Sequence, residues 1–378
     1  MLTCTRSSAA LAALLLCASP AAAVASFTGL GDLPGDDFYS FAYALSGDGS
    51  VVVGMSHSEN GSEAFRWNGP GSITGLGDLP GGIFQSYAHG VSGGVIVGYG
   101  DSVTGTTAFT WNTTTTTLTP LAPLQPGGTS QAYGVSGDGL TAVGSSDSAL
   151  GVQAVTWPSP TAPPVPLGDL TGGAFRSQAL AASDDGLTIV GDSDSTSGRE
   201  AFIWQGLLTG LGDLDGGAFD SAAFGVSPNG TLIVGVGESA SGDEAFLWQS
   251  PGMVGLGDLP GGIFSSTAYD VTDGGVVVGS SSATSATEAF IWDSAHGMVS
   301  LIDVLVANGL AAQVAGWTLT EARAISDDGL TIAGFGIDPD GHTEGWVTTI
   351  SFIPEPSTAL LVGVGLVMLR FRGSRRAD

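Results

Sequence analysis

Short apolar runs follow one another along this chain, separated by clusters of glycine, serine and aspartate, and the whole arrangement recurs. Each recurrence opens on a turn: Ser46-Gly47-Asp48-Gly49, Ser92-Gly93-Gly94, Ser136-Gly137-Asp138-Gly139, Ser183-Asp184-Asp185-Gly186, Ser227-Pro228-Asn229-Gly230, Thr272-Asp273-Gly274-Gly275 and Ser326-Asp327-Asp328-Gly329. Asp-Gly and Asn-Gly supply the positive φ of tight hairpins. An apolar run then ends in glycine, as in Val51-Val52-Val53-Gly54 and Leu232-Ile233-Val234-Gly235, with Gly98, Gly144, Gly191, Gly279 and Gly334 in the same place elsewhere. A continuous β-branched run predicts a strand covered on both faces. The closing glycine predicts a bend or the close approach of another backbone. Glu-Ala-Phe-x-Trp follows at 63–67, 200–204, 244–248 and 288–292, with variants at 107–111 and 153–157. Period two places Phe65 and Trp67 on one face and Ala64 and Arg66 on the other. The unit ends in Gly-Leu-Gly-Asp-Leu from Gly29, Gly75, Gly210 and Gly255, with reduced forms from Leu121, Leu167 and Leu301.

Trp67, Trp111, Trp157, Trp204, Trp248 and Trp292 fix the register, at spacings of 44, 46, 47, 44 and 44 residues. A fixed period of this size is an array of one supersecondary unit. The strand before each hairpin carries Ala88, Ala132, Ala179, Ala223 or Ala268, so a unit offers four short strands in about 45 residues, the content of one β-propeller blade. The fold predicted is all-β, a seven-bladed β-propeller of four-stranded antiparallel blades over residues 26–352. The opening segment Phe27 to Leu33 is a fourth strand without its three predecessors, and the last unit stops at a third strand through Trp346. The first strand can therefore complete the last blade and remove the exposed edges of an open array. The alternative is an open solenoid, which leaves that first strand unexplained. Between Leu301 and Leu319 the short linker is replaced, and Val304 to Val314 reads as a helical insert.

The ends of the chain carry addresses. Residues 1–25 read as a secretory signal peptide: Arg6, an apolar run from Ala9 to Ala18, and small-residue cleavage sites at 21–25. As a membrane anchor, the alternative, that run is too short to span a bilayer. Residues 353–378 hold Pro354-Glu355-Pro356, a short hydrophobic helix from Ala359 to Leu369, and a basic tail with Arg370, Arg372, Arg375 and Arg376. Such an order halts translocation and leaves the arginines in the cytoplasm. This tripartite end resembles the PEP-CTERM sorting signal, and the resemblance implies Sec export followed by processing by the membrane protease exosortase. A plain C-terminal transmembrane anchor is the alternative. The repeats over 26–350 resemble the HAF family of extracellular repeats, which implies a secreted or surface protein and no particular reaction.

Charge narrows the partners. The chain has no lysine and a net charge of −27; residues 26–356 hold 35 acids and only 4 arginines, a net −31. Such a surface repels phosphate backbones, so nucleic acid is not an expected partner. Cys4 and Cys17 both fall in the leader, and the mature chain has neither thiol nor disulfide to rely on.

Little in the sequence points to catalysis. Asp32, Asp78, Asp169, Asp213, Asp258 and Asp303 recur in register, either as a ring of cation ligands or as caps of the turns that follow; capping is the simpler expectation. Glu63, Glu200, Glu244, Glu288 and Glu344 are read the same way. Better calcium candidates are the alternating oxygens of Asp192 and Asp194, and the group Asp338, Asp340 and Glu344 around a glycine, although neither completes a calcium-loop pattern. The four histidines lack metal-ligand spacing, and His57 and His89 read as loop residues. Nucleophile-elbow, zinc-protease and phosphate-loop signatures do not occur in the sequence. The expectation is a non-catalytic binding or structural module of the extracellular polysaccharide matrix, without a cofactor unless calcium. A glycan lyase or hydrolase on a propeller scaffold and a calcium-dependent adhesin are the alternatives.

Overall fold

The computed structural model describes residues 24–353, apart from positions 36, 70, 72, 285 and 352. The leader, Pro354-Glu355-Pro356, the apolar stretch and the arginine tail lie outside the described residues. The chain is all-β apart from one helix among the described residues. Strands Ser40–Leu45, Val52–Ser58, Gly61–Trp67 and Thr74–Gly75 pair antiparallel in chain order. The same order recurs from Gly81, Ser130, Gly172, Gly216 and Gly261. Single parallel bridges, such as Ser62 to Gln85 and Arg199 to Asp220, join some of these sets into larger sheets. The last set, Thr318–Ile325, Thr331–Ile337 and Thr343–Thr349, takes its outer strand from the start of the chain. Strand Ser26–Gly29 pairs antiparallel with it, Phe27 opposite Thr348 and Gly29 opposite Trp346, as the sequence led us to expect.

The end of each apolar run explains its glycine. Gly54 lies opposite Phe65, Gly235 opposite Phe246 and Gly334 opposite Trp346. A Cβ on Gly54, Gly98, Gly144, Gly191, Gly235 or Gly334 would fall 1.8–1.9 Å from a carbonyl oxygen of the preceding strand. The facing aromatic rings, Phe65, Phe109, Phe202, Phe246, Phe290 and Trp346, are fully buried. The tryptophan column is less uniform: Trp111 and Trp157 are buried, but Trp67, Trp204, Trp248 and Trp292 are half-buried at the outer rim. The phenylalanines therefore carry the packing, each contributing about 2–3 kcal/mol by burial.

Two further columns knit the units together. The Glu-Ala-Phe glutamate turns onto the glycine-rich strand beside it: Glu63, Glu244 and Glu344 accept the N–H of Gly77, Gly257 and Gly31 at 2.9, 2.9 and 2.7 Å. A Cβ on Gly75, Gly210 or Gly255 would lie 2.0–2.1 Å from such a carboxylate oxygen, so the glutamate and the first glycine of Gly-Leu-Gly require each other. Where Thr107 or Gln153 replaces the glutamate, Pro120 or Pro166 stands at the glycine's register position. Beyond the sheet, a buried serine of the next set bridges back. Ser221 Oγ accepts the N–H of Ala201 at 3.0 Å and donates to the carbonyl of Gly212 at 2.6 Å. Ser86, Ser177 and Ser266 do the same. Ser40 makes the equivalent bridge from the first set to the last, taking the N–H of Gly345 and donating to Gly31. Leu30, Leu33, Val52 and Phe65 from the start of the chain share one core with Ala324, Ala333 and Val347 from its end.

The insert differs from expectation. Its helix spans Leu301–Ala307, not Val304 to Val314. Asn308 and the positive-φ Gly309 (φ 87°) end it, and the residues beyond form turns. Leu301, Val304 and Leu305 are fully buried in the core beside Trp346.

Candidate functional site

Every innermost strand skips one residue in its register, and the skipped residue follows a buried alanine. These residues are Tyr43, His89, Tyr133, Leu180, Phe224, Tyr269 and Arg323. A bulge re-aims a side chain, and here all seven line both of two axial cavities, of about 630 and 620 Å³. The volume is that of ordinary small-molecule pockets.

The wall on one side is aromatic. His89 stacks on Tyr43 (centroids 5.0 Å, planes 4° apart) and on Tyr99 (5.1 Å, 14°), with Tyr133 edge-on at 5.8 Å. Tyr87 joins through His89 and Tyr99, and Tyr39 through Phe41. Arg323 lies 4.1 Å over Tyr269 and 5.9 Å from Tyr43, and its guanidinium contacts Glu321 at 3.1 Å. The chain's six tyrosines thus all belong to this network. The facing wall is ionic: Arg199, Asp220 and Asp243 line the 620 Å³ cavity with Val236 and Thr267. Around the other cavity stand Asp184, Asp270 and Asp327. Burial raises the pKa of Asp184 and Asp327; the charge of Asp273 raises both further, and that of Asp184 raises Asp327.

Burial also keeps the aromatic wall uncharged. It pushes Tyr43 up to about 12 and raises Tyr99, Tyr133 and Tyr269, so each hydroxyl keeps its proton at neutral pH. Burial, reinforced by the charge of Arg323, pushes His89 down to about 3. The ring is half-buried at the lumen, but its Nε2 is sealed and has no hydrogen-bond partner among the described residues. Between that value and the ordinary 6.5 the unfolded chain binds a proton that the folded chain refuses, so stability is lost as pH falls through this window. We expect His89→Gln to flatten the fall in melting temperature between pH 6.5 and the acid limit. A parallel fall in both proteins would show that His89 is not desolvated. The variant comparison is needed because Asp270, pushed up to about 7 by burial, acts in the opposite direction.

The residues singled out from sequence have other neighbours. Asp192 is buried and meets Arg176 (2.7 Å) and Arg199 (3.1 Å), while Asp194 lies 3.5 Å from Arg176, so two guanidiniums occupy the surroundings of these candidate ligands. Asp338 and Asp340 come together with His342, their ligand atoms within 4.8 Å. Glu344 instead faces Gly31, and Asp338 Oδ1 already accepts the N–H groups of Asp340 and His342 at 2.9 and 2.8 Å. Two members of the aspartate column cap as expected: Asp213 accepts the N–H of Leu214 and of Asp220, both at 2.8 Å, and Asp78 that of Gln85 at 3.0 Å, whereas Asp303 lies in the first turn of the helix. His57 and His89 lie in strands Val52–Ser58 and Gly81–Ser92, not in loops: the strand of His57 runs on past its glycine to pair with Ser62, and that of His89 runs past the bulge. The channel residues went unread, although one signal for them exists: the position after each repeated alanine is bulky in every unit.

No family model and no curated protein matches the sequence. Among solved structures, a chain of the Mitotic Checkpoint Complex is similar, with a TM-score of 0.50 at 14% identity, covering 93% of this chain and 100% of that one. TolB from Acinetobacter baumannii (0.41, 15%, covering 56% and 52%) and a putative TolB from Agrobacterium tumefaciens (0.44, 18%, covering 57% and 79%) are also similar. The chain spans about half the length of the Acinetobacter TolB. At these identities the likeness concerns the fold alone. No helix among the described residues is long and apolar enough to cross a membrane.

Proposed function

We propose that the chain is a closed seven-bladed β-propeller of four-stranded blades, working as a non-catalytic binding module whose ligand enters the axial channel. The observation that carries this reading is the ring of bulged residues, one from each strand set, turned onto a common cavity and including Tyr43, Tyr133 and Tyr269. Tyrosine combines an apolar body with a polar tip, which suits a wall facing a ligand and is not needed in a dry core. The cores between sets use phenylalanine, tryptophan, valine, isoleucine and alanine instead. The circular reading is supported by the Ser40 bridge, which repeats between last and first sets the contact made between consecutive ones. A non-catalytic role is supported by how acids of the channel wall and of the layer behind it are engaged: in the wall Asp270 by the N–H groups of Val271 and Ile325 and Asp220 by Arg199, and behind it Asp192 by two arginines and Glu321 by Arg323.

In this proposal the module is a HAF-type repeat protein, exported by its leader, processed by exosortase at Pro354-Glu355-Pro356, and active at the cell surface or in the extracellular polysaccharide. Mass spectrometry of the C-terminal peptide from native cells tests the address. The expected terminus lies near Glu355; recovery of secreted protein with an intact Arg375-Arg376 tail would refute processing.

A further inference from the structure

We propose that the 620 Å³ mouth takes an uncharged, polyhydroxylated ligand, a neutral sugar unit lying between the aromatic wall around Tyr133 and the ionic wall of Arg199, Asp220 and Asp243. The inference rests on the binding role proposed above and fixes its ligand class. Three observations choose among anion, cation and neutral polyol.

An anion is disfavoured at long and short range. Residues 26–356 carry a net −31, which repels polyanions before contact. Inside, each arginine is already paired: Arg323 with Glu321, Arg199 with Asp192 and Asp220. No uncompensated guanidinium is left to offset the desolvation of an acidic sugar. A quaternary ammonium is disfavoured because the cage of several aromatic faces that would enclose it is already filled, Tyr133 alone making only edge contacts. Arg323 already occupies the face of Tyr269, and His89 fills the space between Tyr43 and Tyr99. A quaternary ammonium needs such faces free.

A neutral sugar matches what remains. Tyr133 offers a hydroxyl, now donating to Gln131 Oε1 at 2.7 Å, within an aromatic wall against which the C–H face of a pyranose can lie. Across the lumen, charged acceptors and donors give the stronger class of hydrogen bond to hydroxyl groups without requiring a charge on the ligand. Arg199 is held by Asp192 behind it and by Asp220 beside it, so this donor is ordered before the ligand arrives, which lowers the ordering cost of binding.

The test uses the purified full chain and an array of neutral gluco-, manno-, galacto- and xylo-oligosaccharides beside oligogalacturonates and choline, with affinities from calorimetry. At least one neutral oligosaccharide should bind, and Tyr133→Ala should weaken it about tenfold, the equivalent of 1.4 kcal/mol. Asp243→Ala, at an exposed site, should weaken it severalfold with melting temperature unchanged. Tyr133→Phe separates stacking from hydroxyl donation and guards against misfolding of the alanine variant. Binding of oligogalacturonate or choline alone would overturn neutrality and leave the binding role standing. Neutral binding untouched by both Tyr133→Ala and Asp243→Ala would overturn the location. Failure of every glycan to bind at millimolar concentration would overturn the ligand class and the polysaccharide role together.

Discussion

Gly235→Ala is expected to destabilise the chain by about 3 kcal/mol or more, although it adds one methyl group. Its Cβ would sit 1.9 Å from the carbonyl oxygen of Ala222, and backbone on a paired strand cannot step aside as a side chain can. The strands are tied on both sides, Ala223 to Gly235 and Gly235 to Phe246, so relief would require breaking ladder bonds. Overpacking a tight core costs about 1–3 kcal/mol even where side chains yield. Gly252→Ala is the control: nothing lies within 4 Å of its Cβ, and a change within about 0.5 kcal/mol is expected. Chemical denaturation of the two variants gives the comparison. Equal, small effects would mean that the paired backbones are not as close as described.

Deleting residues 26–33 from the full chain is expected to cost roughly 5 kcal/mol and to cause self-association. Leu30 and Leu33 are buried, and Phe27 packs on Trp317 and Trp346 at 5.1 and 6.2 Å; each such side chain contributes about 1.5–3 kcal/mol. The deletion also strips the outer edge of Thr343–Thr349 and leaves Glu344 without the Gly31 N–H, so an unpaired edge is offered to other molecules. Light scattering should show the association, and a synthetic peptide of residues 26–33 should suppress it by adding the missing strand. An unchanged melting temperature in a monomeric deletion variant would show that this strand does not hold the ends together.

How much of this was legible from sequence depended on whether a feature repeats in every unit. The terminal glycines and the pairing of the first strand with the last set were readable because steric demand and edge protection act alike in each copy. The tryptophan column was visible, yet its half-buried members show that recurrence marks position and not depth. The link between Glu-Ala-Phe and Gly-Leu-Gly was hidden because the partners lie 10 to 14 residues apart in separate motifs; the coincidence of Thr107 with Pro120 and Gln153 with Pro166 is its trace in the sequence. The channel was hardest to read. Its positions vary from Tyr43 to Leu180 to Arg323, and a bulge breaks the two-residue period by which an inward side chain is recognised. His89 was misplaced for that reason.

Strand Ser26–Gly29, synthesised before every other described strand, can pair only after the last of them has been made. Ser26 accepts a hydrogen bond from Thr348 across 322 residues, so nearly the whole polypeptide must emerge before the two meet. Entropy alone makes so long a closure only modestly costlier than a short one, but it makes it late. Until Thr349 has been made, nascent chains share an unfilled gap whatever their length, and a prematurely terminated product stays recognisable by it.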